Sequence, residues 1–109
     1  VSDTSTPAPL SVACDFDGGD ALLTVCGEID TSSASALLQA LDDAVAAGSR
    51  NVVVDMSAVT FIDSSGLTTL IHGYKATRRG QGWLSIREPS AVVTRLLTLT
   101  GQLERFTTA

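Results

Sequence analysis

The chain is short of the residues that reactive and metal centres need. In 109 residues it has one histidine, His72, and one lysine, Lys75. Its two cysteines, Cys14 and Cys26, lack the second pair or the histidines that a zinc site would require, so no metal is expected. A serine nucleophile is equally unsupported. There is no Gly-x-Ser-x-Gly elbow, and His72 falls about two helical turns past Ser64, beyond hydrogen-bond reach, so the chain does not read as an enzyme. Gly18 and Gly19 make a turn without running into a phosphate-cradling helix, and no cofactor is expected. No apolar run approaches the roughly 20 residues that cross a bilayer, which argues against a membrane span. Basic residues are missing altogether from the first half. Residues 1–49 hold eight acids and no Lys or Arg, whereas residues 50–109 hold seven basic residues against four acids, giving −8 and +3 for the overall −5. Nucleic acid is a poor partner for such a surface, because phosphate neutralisation needs clustered Lys and Arg. A partner with a basic patch suits it better, since long-range charge would speed its approach.

What the chain does have is 44% hydrophobic residues, enough for one core and, at this length, not for two. Residues 1–9 are rich in Ser, Thr and Pro, without the basic and apolar regions of a secretion signal, and read as a flexible tail; residues 10–109 read as one domain. Leu10, Val12, Cys14 and Phe16 alternate up to a Gly-Gly turn, and Ala21, Leu23 and Val25 return on the same face, which predicts a hairpin. That pairing sets Cys14 opposite Leu23, on the face away from Cys26, so no disulfide between the two cysteines is expected. Ala34, Leu37, Leu38, Leu41 and Val45 form a helical stripe capped by Asp30 or Thr31 and stopped by Gly48. Asn51 to Met56 reads as a strand buried on both faces, followed by a connection containing Val59 and Phe61. A second helix starts near Ser64, with Leu67, Leu70, Ile71 and Tyr74 inward, and ends at Gly80 and Gly82. Trp83 to Arg87 is a short strand. Pro89 opens a third helix bearing Val92, Val93, Leu96 and Leu97 and closed by Gly101, and Leu103 to Thr107 reads as a last strand. Helices between strands imply right-handed crossovers and an α/β fold with a mostly parallel sheet and an N-terminal hairpin.

The stretch with most chemical content is Asp63-Ser64-Ser65-Gly66, where a buried strand becomes a helix. Its simplest reading is a capped helix start, since Asp and Ser side chains accept bonds from the orphan amides. A second reading stays open: a serine in a first helical turn lies near the surface, and a phosphate there adds about −1.5 to −2 charges beside Asp63. Asp55, at a strand end, invites comparison with the phosphoacceptor of a receiver domain, but the acidic pair and late lysine that hold Mg²⁺ there are missing, so it reads as ordering the next loop. Glu28 and Asp30 read as a solvated loop acid and a cap.

Taken together, Gly27-Glu28-Ile29-Asp30, Val52-Val53-Val54-Asp55 and Phe61-Ile62-Asp63-Ser64-Ser65-Gly66-Leu67 resemble the STAS-domain anti-sigma factor antagonists of bacteria, over about Leu10 to Phe106. The resemblance implies a cytoplasmic, non-enzymatic binding module in transcription regulation. By it, the unphosphorylated domain captures an anti-sigma factor of the serine-kinase type and frees sigma, phosphorylation reverses this, and a PP2C-like phosphatase resets the switch. The phosphorylated residue would be Ser64, with Ser65 its structural neighbour, and Asp30, Asp63, Ser64, Ser65, Gly66 and Leu67 would meet the partner. Neither nucleic acid nor membrane enters that scheme. The alternative is a STAS domain that acts as a scaffold or sensor for a small ligand such as a nucleotide. Family members commonly continue past the last strand into a further amphipathic helix; with the sequence ending at Ala109, the resemblance implies either that the native end is missing or that this helix is lost.

Overall fold

The computed structural model describes residues 9–107, so that all but one residue of the expected tail lies outside it. Two antiparallel strands, β1 (Ser11–Asp17) and β2 (Asp20–Ile29), form the expected hairpin, with Cys14 opposite Leu23. Gly18, at φ 65°, takes the first turn position, which an L side chain rarely adopts. Helix α1 (Ala34–Ala46) leads to β3 (Asn51–Ile62), which lies parallel to β2; α2 (Ser64–Arg79) leads to β4 (Trp83–Arg87), parallel to β3. Two short helices follow, α3 (Ala91–Leu99) and α4 (Leu103–Thr107). The sheet order is β1-β2-β3-β4.

One face of the sheet carries the core. Ala21, Leu23 and Val25 of β2, Val52, Val54 and Met56 of β3, and Leu84 and Ile86 of β4 are buried there against Leu37, Leu41, Leu70, Val93, Leu97 and Phe106 of the helices. Sixteen residues of α2 lie close on this face because glycine permits it: a Cβ at Gly73 would come within 2.9 Å of Leu41 and 3.0 Å of Leu84. The opposite face is not covered to the same degree. Leu22, Thr24, Cys26, Val53, Asp55 and Ser85 are half-buried, and Trp83 and Arg87 are exposed. The expected burial of the central strand on both faces is therefore corrected: among the described residues the apolar helices lie on one side only.

Three boundaries also change. β3 does not end at Met56 but runs to Ile62, two residues longer than β2 (12 against 10), although the strands pair from Asp20↔Asn51 to Ile29↔Ile62. Two register shifts, between Thr24 and Cys26 and between Gly27 and Glu28, absorb the surplus as bulges on β3. The bulges break the alternation at Ser57-Ala58 and Thr60-Phe61, which makes a continuing strand look like a connection. Leu103 to Thr107 is helical, not a strand. Leu103 and Phe106, three apart, turn to the same side, and the buried Phe106 ring meets Tyr74 edge-on at 5.7 Å; period-two pairing would have left Phe106 opposed to Leu103. Pro89 lies one residue before the N-cap Ser90 instead of inside the third helix. Trp83–Arg87 forms the strand expected for it.

Candidate functional site at the ends of two parallel strands

Because β2 and β3 end level, their exit loops meet. The Asp63 amide donates to the Ile29 carbonyl at 3.2 Å, which joins the start of α2 to the loop before α1. Each loop opens on an aspartate followed by small hydroxyl residues. In the first, Asp30 Oδ1 accepts from the amides of Ser32 and Ser33, each at 3.0 Å, and lies 2.8 Å and 3.0 Å from their hydroxyls. The Asp30 amide in turn donates to Ser33 Oγ at 2.9 Å. Hydrogen bonds from the Ser32 and Ser33 side chains, ahead of those from their amides, hold the Asp30 carboxyl below the usual range, so it stays ionised. Asp30 thus organises the turn through Thr31 to Ser33, while Ser33 occupies the cap position of α1. The cap expected at Asp30 or Thr31 sits three or two residues later, at Ser33.

In the second loop, Asp63 is the N-cap of α2 and accepts from the Ser65 amide at 2.9 Å. Its carbonyl takes the amides of Gly66 and Leu67. Ser64 is the first helical residue and is exposed; its hydroxyl has no hydrogen-bond partner among the described residues. Ser65 is half-buried, and its hydroxyl meets that of Thr31 at 3.2 Å. Gly66 is buried against the strand ends: a Cβ there would stand 2.7 Å from Ile62 and 2.8 Å from Ile29. It shapes the site by letting α2 settle onto β2 and β3. Leu67 is half-buried against the core. Asp30, Asp63, Ser64 and Ser65 are thus brought together at one end of the sheet.

Beside them runs an apolar groove between the end of β3 and α3, lined by Phe61, Ile62, Val92, Leu96 and Leu99 with Arg95 at hand. Phe61 is 44% and Leu99 72% exposed. Sequence reasoning missed this groove, as it did the Thr31 contact. The available signal was α3 itself, which has more apolar residues than one inward stripe uses.

The other candidates lie elsewhere. Asp55 is inside β3, where Oδ1 accepts from the Ser57 amide at 3.0 Å and hydroxyl at 2.8 Å, and Oδ2 faces Arg87 at 3.2 Å. These contacts, the Ser57 amide first, lower its pKa; it orders a bulge, not a loop. His72, exposed on α2, meets Asp42 of α1 at 3.1 Å. Among the described residues no three His, Cys, Asp or Glu side chains gather as metal ligands, and no helix is long and apolar enough to cross a membrane.

A family model described as "Mlab, STAS domain" matches residues 12–104. The crystal structure of an anti-sigma factor antagonist from Mycobacterium paratuberculosis is 32% identical, with a TM-score of 0.77 over 95% of this chain and 87% of that one. The chain belongs to the STAS-domain family of anti-sigma factor antagonists. Its relatives in that family are named for antagonising anti-sigma factors. Anti-sigma-F factor antagonist RsfB of Mycobacterium tuberculosis is 39% identical over 66 residues, which is 61% of this chain; the match spans about half, 54%, of RsfB. The unphosphorylated form of the anti-sigma factor antagonist SpoIIAA shares the fold at 15% identity, with a TM-score of 0.77 over 87% of this chain and 84% of that one. SpoIIAA of Bacillus is also known in a phosphorylated form, which superposes with a TM-score of 0.73.

Proposed function

We propose that this STAS domain is a partner switch worked from Ser64. In its unphosphorylated state it docks on an anti-sigma factor of the serine-kinase type in the cytoplasm and so releases a sigma factor. The kinase transfers the γ-phosphoryl group of ATP to Ser64 Oγ, ADP departs and the hydroxyl proton is lost, and a PP2C-like phosphatase later hydrolyses the ester. The observation that carries this reading is the contrast between two adjacent hydroxyls: Ser64 is exposed and its hydroxyl is without a partner among the described residues, whereas Ser65 is half-buried and turned to Thr31.

The physics of the switch follows from the neighbours. A partner that fits a neutral hydroxyl, with the exposed Phe61 and the apolar rim of α3 beside it, excludes water over that area. Phosphorylation sets a group of about −1.5 to −2 charges beside Asp63 and the ionised Asp30, and burying it against that partner costs desolvation and repulsion. The start of α2 favours the phosphate locally through its dipole, so the domain itself stays folded. Asp30, Asp63, Ser64, Ser65 and Leu67 are the proposed contact set, with Gly66 holding their geometry.

The test is phosphotransfer from ATP by the cognate anti-sigma kinase, followed by mass spectrometry and calorimetric binding. The phosphate is expected on Ser64 and not on Ser65. Ser64→Ala should bind and resist modification, and Ser64→Asp should bind at least tenfold more weakly. A phosphate mapped to Ser65, or Ser64→Asp binding as tightly as the native domain, would overturn the proposal.

A further inference from the structure

The two edges of the sheet are protected to different degrees. The outer strand β4 is five residues long, ends in the exposed Arg87, and has Trp83 under the Arg78 guanidinium at 4.3 Å. Shortness and charge are the ordinary means by which an edge avoids further pairing. At the other edge, β1 has seven residues, Ser-Val-Ala-Cys-Asp-Phe-Asp, with no proline and no basic residue, and all but Val12 are exposed. Phe16 is 56% exposed although it lies on the same face as the buried Ala21.

The two-residue turn makes Asp17 and Asp20 the hydrogen-bonded pair that closes the hairpin, so the amides and carbonyls of Val12, Cys14 and Phe16 point outward. We infer that this edge pairs with a second copy of the chain, β1 against β1 in antiparallel about a two-fold axis at Cys14, to give a continuous eight-stranded sheet. The register is self-complementary. Val12 falls opposite the partner's Phe16 on the apolar face, Cys14 opposite its own copy, and about six hydrogen bonds form, two for each narrow pair. On the other face Asp15 meets Ala13 and Asp17 meets Ser11, so no acid opposes an acid. An axis at Asp15 would set that carboxylate against itself, and one at Ala13 would draw in Leu10, outside the strand. Because the strands run antiparallel, the two Ser64 sites point to opposite ends of the joined sheet, and both stay open. The pairing does not depend on how Ser64 is used.

A seven-residue edge buries less than the roughly 1,200 Å² of a standard interface, so the dimer is expected to be concentration-dependent. Sedimentation equilibrium of the full chain from about 5 to about 500 μM should pass from one chain mass to two. Diamide, which takes two electrons and two protons from a thiol pair as the S–S bond forms, should link Cys26→Ser as a covalent dimer and leave Cys14→Ser unlinked. Cys14→Pro removes only an outward-pointing amide and should remain monomeric while keeping its circular dichroism. Should that variant misfold, Phe16→Lys takes its place with the same expectation. A native chain that is monomeric at the highest concentration, or a dimer linked through Cys26, would overturn the inference.

Discussion

The starts of α1 and α2 are nearly the same in sequence and differ in what their hydroxyls do. Asp30-Thr31-Ser32-Ser33 and Asp63-Ser64-Ser65-Gly66 both follow an isoleucine at the end of a parallel strand, and the two isoleucines are paired. In the first, the hydroxyls of Ser32 and Ser33 close around Asp30. In the second, glycine stands where Ser33 would be, the helix drops against Ile29 and Ile62, and the first serine is left facing solvent. A motif of capping residues leaves a hydroxyl open to solvent when that hydroxyl is not needed for the cap.

The contrast can be broken most forcefully at Gly66. Gly66→Ala places a methyl within 2.8 Å of two isoleucines, and overpacking of that kind should lower stability by about 1–3 kcal/mol in urea denaturation. Next in size, Asp63→Ala removes the side-chain cap of α2 and should cost about 1 kcal/mol by the same measurement. The two serines should then separate cleanly. Ser33→Ala leaves the Asp30 amide without its acceptor and should cost about 1 kcal/mol, whereas Ser64→Ala should stay within about 0.5 kcal/mol of the native domain.

The smallest effect is expected in acid. Asp30 and Asp55 have folded pKa values below the ordinary 3.8, so their contribution is complete above that value. As pH falls below about 4 the unfolded chain takes up protons first, and stability drains until the folded groups are protonated too. Denaturation midpoints at pH 6 and pH 3 should therefore differ less in Asp30→Asn than in the native domain.

Much of this was legible in the residues. The hairpin register, the start of α2 at Ser64 and the limits of β4 follow from alternation, capping residues and glycines. The second half of β3 was hidden because two bulges interrupt the period that identifies a strand. The half-open sheet face was hidden too, since Val52-Val53-Val54 reads alike whether one or both faces are covered. At the site, the cluster Asp63-Ser64-Ser65 was visible, but the Thr31 contact joins residues 34 apart and depends on β2 and β3 ending level. The helix at Leu103 to Thr107 was within reach, because a spacing of three between Leu103 and Phe106 suits a helix and not a strand.

The seating of α2 on two glycines has a consequence for how information leaves this domain. With Gly66 against Ile29 and Ile62 and Gly73 against Leu41 and Leu84, the helix has little room to slide or tilt. On the proposed reading, a phosphate at Ser64 would therefore alter the electrostatic label shown to a visitor and leave the architecture behind it in place, so nuclear magnetic resonance perturbations on phosphorylation should fade within a few residues of the mark.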